Sequence, residues 1–263
     1  MAKGATYTER VIVLRKRDLG ESDLIVSCMA QSGRKVEAVA KGARKPSSTL
    51  SSRLELFSCA EVLFAEGKTL DIVKESRLIN AHEELRSDVE KSACASTCAE
   101  LLDKVCMPEI ELPRVFDMTQ AAFARLCAVP LNQALSIACA HLIKTLAFIG
   151  LKPELTRCVR CGDEVLPARA SHDGLINTSF SEGGLVCEAC ASVSDIVRVN
   201  AADVAWARAY LQLPFDEIEK ADAPTKASLS ALQFTHQLIK THVGASLKAL
   251  NFLLAFCDFD AQS

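Results

Sequence analysis

Two short spacings, Cys158-x2-Cys161 in "CVRCGDEV" and Cys187-x2-Cys190 in "LVCEACA", stand 25 residues apart. A C-x-x-C spacing lets two thiolates turn toward one centre, and four thiolates complete the tetrahedral shell that zinc prefers in structural sites. Gly162 after the first pair and Gly183-Gly184 before the second fit the two knuckles of a zinc ribbon. A catalytic zinc keeps one position open to water, so a closed four-cysteine shell points to a structural role. His172 lies between the pairs and is not needed as a ligand. A redox pair or four unliganded thiols are the other readings of the same residues. The segment around the tetrad has too few apolar residues for a core of its own, so a metal would staple it.

A second concentration of chemistry is "VAKGARKPSSTLSSRLELF", residues 39–57. Between Arg34 and Arg53, the residues Arg34, Lys35, Lys41, Arg44, Lys45 and Arg53 supply six positive charges against the single Glu37, in a chain whose formal net charge is −3. Ser47, Ser48, Thr49, Ser51 and Ser52 add hydroxyl donors, and Gly42 permits a close backbone approach. Cations with hydroxyls are what phosphate recognition uses; an ordinary solvated turn is the competing reading. Aromatic residues for base stacking are scarce. Tyr7, Phe57 and Phe64 are the only three in the first 80 residues, and the two phenylalanines are expected in the core. Any strand bound there is expected to be held by its backbone rather than read by its bases. Charge is also divided along the chain: residues 1–81 hold 14 Lys and Arg against 10 Asp and Glu, and the remainder 16 against 23. Such asymmetry fits a basic binding module attached to an acidic body.

Catalytic motifs are missing. Gly67-Lys68-Thr69 resembles the tail of a phosphate-binding loop, but the glycine required five positions earlier is Val62, and strand-like sequence follows. "HEELR" starts like a metalloprotease helix, yet position 86 is Arg. The five histidines are scattered, with no nucleophile–base pairing to be seen. The eight cysteines outside the tetrad sit in apolar contexts and read as small hydrophobes, Cys94 and Cys98 one helical turn apart included. No enzymatic activity is expected.

These residues need elements to position them. Residues 9–80 read as five short strands rich in Val, Ile, Leu and Phe, separated by turns, as in a small antiparallel barrel or sandwich. From Ala81 the period changes to that of helices: "HEELRSDVEKSACASTCAELLDKVC", a second beginning at Pro113, and a nearly apolar third ending at Gly150. Helices resume at Asn200, a good N-cap, and run through "PTKASLSALQFTHQLIKTHVG" and "SLKALNFLLAFCD". The fold class is therefore α+β: a barrel at 1–80, a helical domain at 81–155, a cysteine-bearing insert at 156–195, and the rest of the helical domain at 196–263. Nothing approaches about 18 uninterrupted apolar residues, and no secretory signal opens the chain, so a cytoplasmic location with free or metal-bound thiols is expected.

"VLRKRDLGESDLIVSCMAQSGRKVEAVAKGARKPSS" resembles the opening of the RecO family of recombination mediators. "LAFIGLKPELTRCVRCG" followed by "GLVCEAC" is similar to that family's helix-to-zinc junction, and "HVGASLKALNFL" to its last helix. The resemblance implies an N-terminal OB-fold barrel, a helical domain and a zinc-binding insert in a nucleoid-associated bacterial protein. It implies binding of single- and double-stranded DNA, annealing of complementary strands without ATP, and loading of RecA. The implied partners are RecR and the C-terminal tail of single-strand DNA-binding protein. Lys41, Arg44 and Lys45 become the expected DNA contacts, with Arg34, Lys35 and Arg53 beside them. Ala249 and Asn251 depart from the family's usual last helix. A non-catalytic protein–protein adaptor with a structural barrel is the alternative; a zinc nuclease or deaminase is disfavoured by the four-thiolate shell.

Overall fold

The computed structural model describes residues 5–165, 174–192 and 195–260, the last three by backbone alone; His172 lies outside them. Two compact units form, residues 1–128 and 129–263.

The first unit is built on a closed five-stranded barrel: β1 (Thr6–Leu19), β2 (Asp23–Ala30), β3 (Lys35–Ala40), β4 (Cys59–Ala65) and β5 (Asp71–Asn80), in the order β1-β2-β3-β5-β4. β1 closes the barrel because it serves two partners. Residues 6–12 pair with β4 and residues 11–19 with β2, and a register shift between Val13 and Arg15 re-aims the strand between them. Closure is not wholly antiparallel as the turn spacing predicts. β3 runs parallel to β5 through Ala38–Asp71 and Val39–Ile72, which the long β3–β4 connection makes possible. The interior is filled by alternate residues, among them Val11, Val13, Val26, Val36, Val62 and Phe64. Each such side chain contributes about 1.5–3 kcal/mol by leaving water.

The β3–β4 connection carries α1 (Leu50–Arg53); Ala43, Leu54 and the partly buried Leu50 pack on the barrel core, and Phe57 and Ser58 are buried at its far end. Glycine at position 67 makes the β4–β5 turn, as the sequence predicts; a Cβ there would strike the Leu70 carbonyl at 1.9 Å.

The expected helix from His82 is broken in two. α2 (Glu84–Ser87) stops at Asp88, whose extended backbone and carboxylate then cap α3 (Val89–Val105) by accepting from the Glu90 and Lys91 amides at 2.9 and 3.0 Å. α4 (Pro113–Ala128) completes the unit.

In the second unit α5 (Leu131–Phe148) is buried at every position from Ala134 to Ile143. Packed around it are α6 (Ala201–Gln212), capped by Asn200 as expected, α7 (Phe215–Ala221), which the sequence pattern did not single out, and α8 (Thr225–Val243); α9 (Lys248–Asp260) ends the described chain. Between α5 and α6 lies the cysteine-bearing insert with a three-stranded sheet, β6 (Leu175–Ser179), β7 (Gly184–Leu185) and β8 (Val197–Asn200), in the order β7-β6-β8. No helix is long and apolar enough to cross a membrane among the described residues.

Candidate nucleic-acid interface and metal centre

The β3–β4 connection begins in a tight turn. Gly42 adopts φ +65°, its amide donates to the Asp23 carboxylate at 2.7 Å, and the Lys45 stem lies over it. That amide bond, chiefly, with the Ser22 hydroxyl and the charges of Lys41 and Lys45 behind it, holds the Asp23 carboxyl below the usual carboxylate range. Asp23 thus fixes the turn from which the cations project. Lys41, Arg44 and Lys45 are all exposed. Arg44 is steered by Asp18 at 3.1 Å and the Gly20 carbonyl at 3.3 Å, while its backbone amide donates to Ser22.

The other three expected cations have different surroundings. Arg53, also exposed, donates to the Ser76 carbonyl at 2.9 Å, which ties α1 to β5. Arg34 lies 5.1 Å from the Tyr7 ring centroid and 3.7 Å from Glu9. Tyr7 itself donates to Asp71 and stacks on Phe64; burial first, then that hydrogen bond, pushes its hydroxyl up to about 12. Lys35 is spent internally. Its ammonium reaches Asp103 of α3, 2.8 Å to the carboxylate and 2.5 Å to the carbonyl, with only 16% of the side chain exposed. Ser27 and Arg15 converge on the same carboxylate at 2.6 and 3.0 Å. Burial alone would raise Asp103, but Lys35 and Ser27, with the charge of Arg15, bring it below the usual range. Phe57 and Phe64 are both buried, as expected, which leaves the loop without a stacking platform.

Sequence reasoning missed a second cluster beside α1. A groove of about 660 Å³ runs from Ser47, Ser48 and Thr49 across to Lys74 and Arg77 on β5, with Arg53 at its edge. Arg77 is held by Glu61 at 2.9 Å. On an alternating strand, isolated outward lysines and arginines look like any solvated face; only closure of the barrel beside α1 assembles them.

In the second unit the four cysteines converge. The sulfurs of Cys158, Cys161, Cys187 and Cys190 all lie within 4.8 Å of one another, and Cys161 and Cys187 are 3.6 Å apart. Metal–sulfur bonds of about 2.3 Å in a tetrahedron put sulfurs about 3.8 Å apart, so the donor set and spacing fit a metal ion. The backbone builds the knuckles: Gly162, at φ +81°, donates to the Cys158 carbonyl at 2.9 Å, and Gly183 takes φ +75°. Burial of the Cys158 sulfur is outweighed by the amides of Cys187, Cys161 and Arg160, which hold the thiol down to about 6. A thiolate is the form that ligates.

Two clamps not evident in the sequence lock the knuckles together. Arg160 donates to both oxygens of Glu182 at 2.9–3.1 Å and to the Cys190 carbonyl at 2.7 Å. Glu154 exchanges backbone bonds with Gly183 and Leu185 at 3.0 Å, and its carboxylate accepts from the Thr156 and Arg157 amides. A Cβ at position 184 would lie 2.5 Å from the Glu154 carbonyl, so Gly184 is required there.

Comparison with known proteins agrees with both halves. The family model "Recombination protein O N terminal" matches residues 1–82, and "Recombination protein O C terminal" matches residues 86–251. Among individual relatives, "DNA repair protein RecO" of Desulfitobacterium hafniense is 33% identical over 184 residues, 70% of this chain and 64% of that protein. The chain therefore aligns with a little under two thirds of that relative's length. The protein of the same name from Bifidobacterium longum is 32% identical over 185 residues, 70% and 73% of the two chains. That of Desulforamulus reducens is 26% identical over 250 residues, 94% and 93%. With a closed OB-type barrel ahead of a cysteine-bearing helical unit, and both family models matched in order, this chain belongs to the RecO family.

Proposed function

We propose that the protein is a DNA-repair recombination mediator that binds single- and double-stranded DNA and anneals complementary strands without ATP. In this reading it helps load a RecA-type recombinase onto DNA coated by single-strand DNA-binding protein, with RecR and that protein's C-terminal tail as partners. The observation that carries it is the exposed, cation- and hydroxyl-bearing connection between β3 and β4 on an OB-type barrel, in a member of a family whose relatives are named for DNA repair.

Annealing needs no covalent chemistry. Two strands repel through their phosphates, and cations on a protein surface lower that repulsion. Base pairing then supplies specificity. Bases must stay free for this, and a loop whose nearby aromatics are buried or stacked elsewhere leaves them so. Lys41, Arg44 and Lys45 are assigned as the principal phosphate contacts, with Arg53 and Arg34 flanking; Lys35 acts by holding β3 to α3. The metal held by Cys158, Cys161, Cys187 and Cys190 is assigned as zinc with a structural role: it closes the insert.

The test is binding of a fluorescent single-stranded oligonucleotide across a salt series, with annealing rates measured alongside, for wild type and a Lys41→Ala/Arg44→Ala/Lys45→Ala variant. A steep wild-type slope that loses about 0.7 per phosphate contact in the variant, with slower annealing, supports the reading. Absence of binding at low salt by a folded, metal-loaded chain would replace it with a protein–protein adaptor.

A further inference from the structure

The groove beside α1 has a composition that neither a solvated face nor an apolar ligand pocket explains. Arg53, Lys74 and Arg77 bring three cations to it against the two carboxylates of Glu61 and Glu75; Ser48 and Thr49 bring hydroxyls; no aromatic residue lines it among the described residues. At about 660 Å³ it has the size of a small-ligand site. Arg77 is already neutralised by Glu61, whereas Lys74 is exposed and forms no ion pair among the described residues.

A second observation comes from Ser76, which also lines the groove. Its carbonyl accepts from the Arg53 guanidinium at 2.9 Å and so fixes that cation beside β5, while its hydroxyl is closed to solvent. Ser48 and Thr49 belong to the same connection as Lys41 and Lys45, three residues beyond Lys45 along the chain in the case of Ser48.

We infer that the groove receives the sugar–phosphate backbone of a DNA single strand, which leaves the loop at Lys45, passes Ser48 and Thr49, and lies against Arg53 and Lys74 with its bases turned to solvent. This rests on the DNA-binding reading above and adds a path and an orientation to it. Cations and hydroxyls recognise phosphate and deoxyribose oxygens; without an aromatic wall the groove has nothing to hold a base. A strand bound backbone-inward presents its bases to a complementary strand, the arrangement annealing requires.

The test uses the full chain and a thymidine oligonucleotide. Lys74→Gln, and Arg53→Gln/Lys74→Gln, are compared with wild type by the slope of log affinity against log salt concentration. The slope is expected to shrink by about 0.7 for the single variant and about 1.4 for the double. Lys74 makes no hydrogen bond or ion pair among the described residues, so its variant reads binding even if loss of the Arg53–Ser76 bond perturbs the double. A strand carrying abasic sites along its length is expected to bind wild type as tightly as the thymidine strand. A loss of about 5-fold or more per abasic site, the worth of a stacked base, would overturn the orientation. An unchanged slope in Lys74→Gln, while the Lys41/Arg44/Lys45 triple variant flattens it, would overturn the path and leave the DNA-binding reading standing. Unchanged slopes in both would remove the phosphate contacts assigned to the loop and the groove alike, and absence of wild-type binding at low salt would remove the DNA-binding reading itself.

Discussion

Asp103 shows how one carboxylate can decide the roles of several cations. It collects Lys35, Arg15 and Ser27 within 3.0 Å, and by doing so removes Lys35 from the surface charge that the sequence seemed to offer. From sequence, Lys35 and Lys41 are indistinguishable: both flank the same short strand. The difference arises from a residue 68 positions away, which no local pattern encodes. Asp103→Asn is expected to cost about 2 kcal/mol, the worth of hydrogen bonds to a charged group, read as a lower midpoint in urea. The sign of its pH dependence follows from its lowered pKa. The stabilisation is fully present above the unfolded carboxyl value of about 3.9 and is lost as pH falls through the folded value, so the variant should show a shallower acid limb. Equal acid limbs in wild type and variant would mean that the ion pairs contribute nothing. DNA affinity should move little in the same variant, since Lys35 is assigned no phosphate.

Among the elements, the strand and helix periods were legible because burial enforces them: period two in β3, where Val36, Ala38 and Ala40 face inward, and an all-round apolar α5. The four-cysteine centre was legible because metal ligation leaves a spacing in the chain itself. What was not legible depends on which elements meet. The parallel β3–β5 closure joins residues about 33 apart that no single turn connects, and the break at Asp88 falls inside a continuous helical pattern. The groove of Arg53, Lys74 and Arg77 exists only once α1 and β5 lie side by side. One such meeting can be tested directly. Gly33, in the β2–β3 turn, has φ +89°, and a Cβ there would sit 2.2 Å from the Leu112 backbone in the α3–α4 connection. Neither atom belongs to a flexible side chain, so the turn or the connection must move. Gly33→Ala is expected to destabilise the first unit by about 3 kcal/mol or more, seen as a drop in its melting temperature. A neutral outcome would show that the β2–β3 turn is not seated on the α3–α4 connection.

At the scale of the whole molecule, two compact units with different chemistry should respond separately to different insults. Metal removal acts on the second, because the insert interrupts that unit between α5 and α6 and has little apolar core of its own. Cys187→Ser/Cys190→Ser is expected to abolish stoichiometric metal content and to lower the second unit's calorimetric transition, leaving the first in place. Acid also weighs on this unit. His141 is fully buried in α5, and burial drops its pKa to about 3. A depressed histidine contributes stability that is present above the unfolded value of about 6.5 and is lost as pH falls toward the folded value. The second unit should therefore lose about 1.4 kcal/mol per pH unit from this one group through that window. A His141→Gln variant removes the titration, so its second-unit transition should depend less on pH between 6 and 4 than wild type does, whatever its absolute stability. Parallel pH profiles for the two proteins would show that His141 takes up its proton inside the fold at little cost. The first unit provides the internal control. Its buried histidine is His82, lowered chiefly by burial but supported by the Phe57 carbonyl at 2.9 Å, and its transition should keep the same pH profile in wild type and His141→Gln.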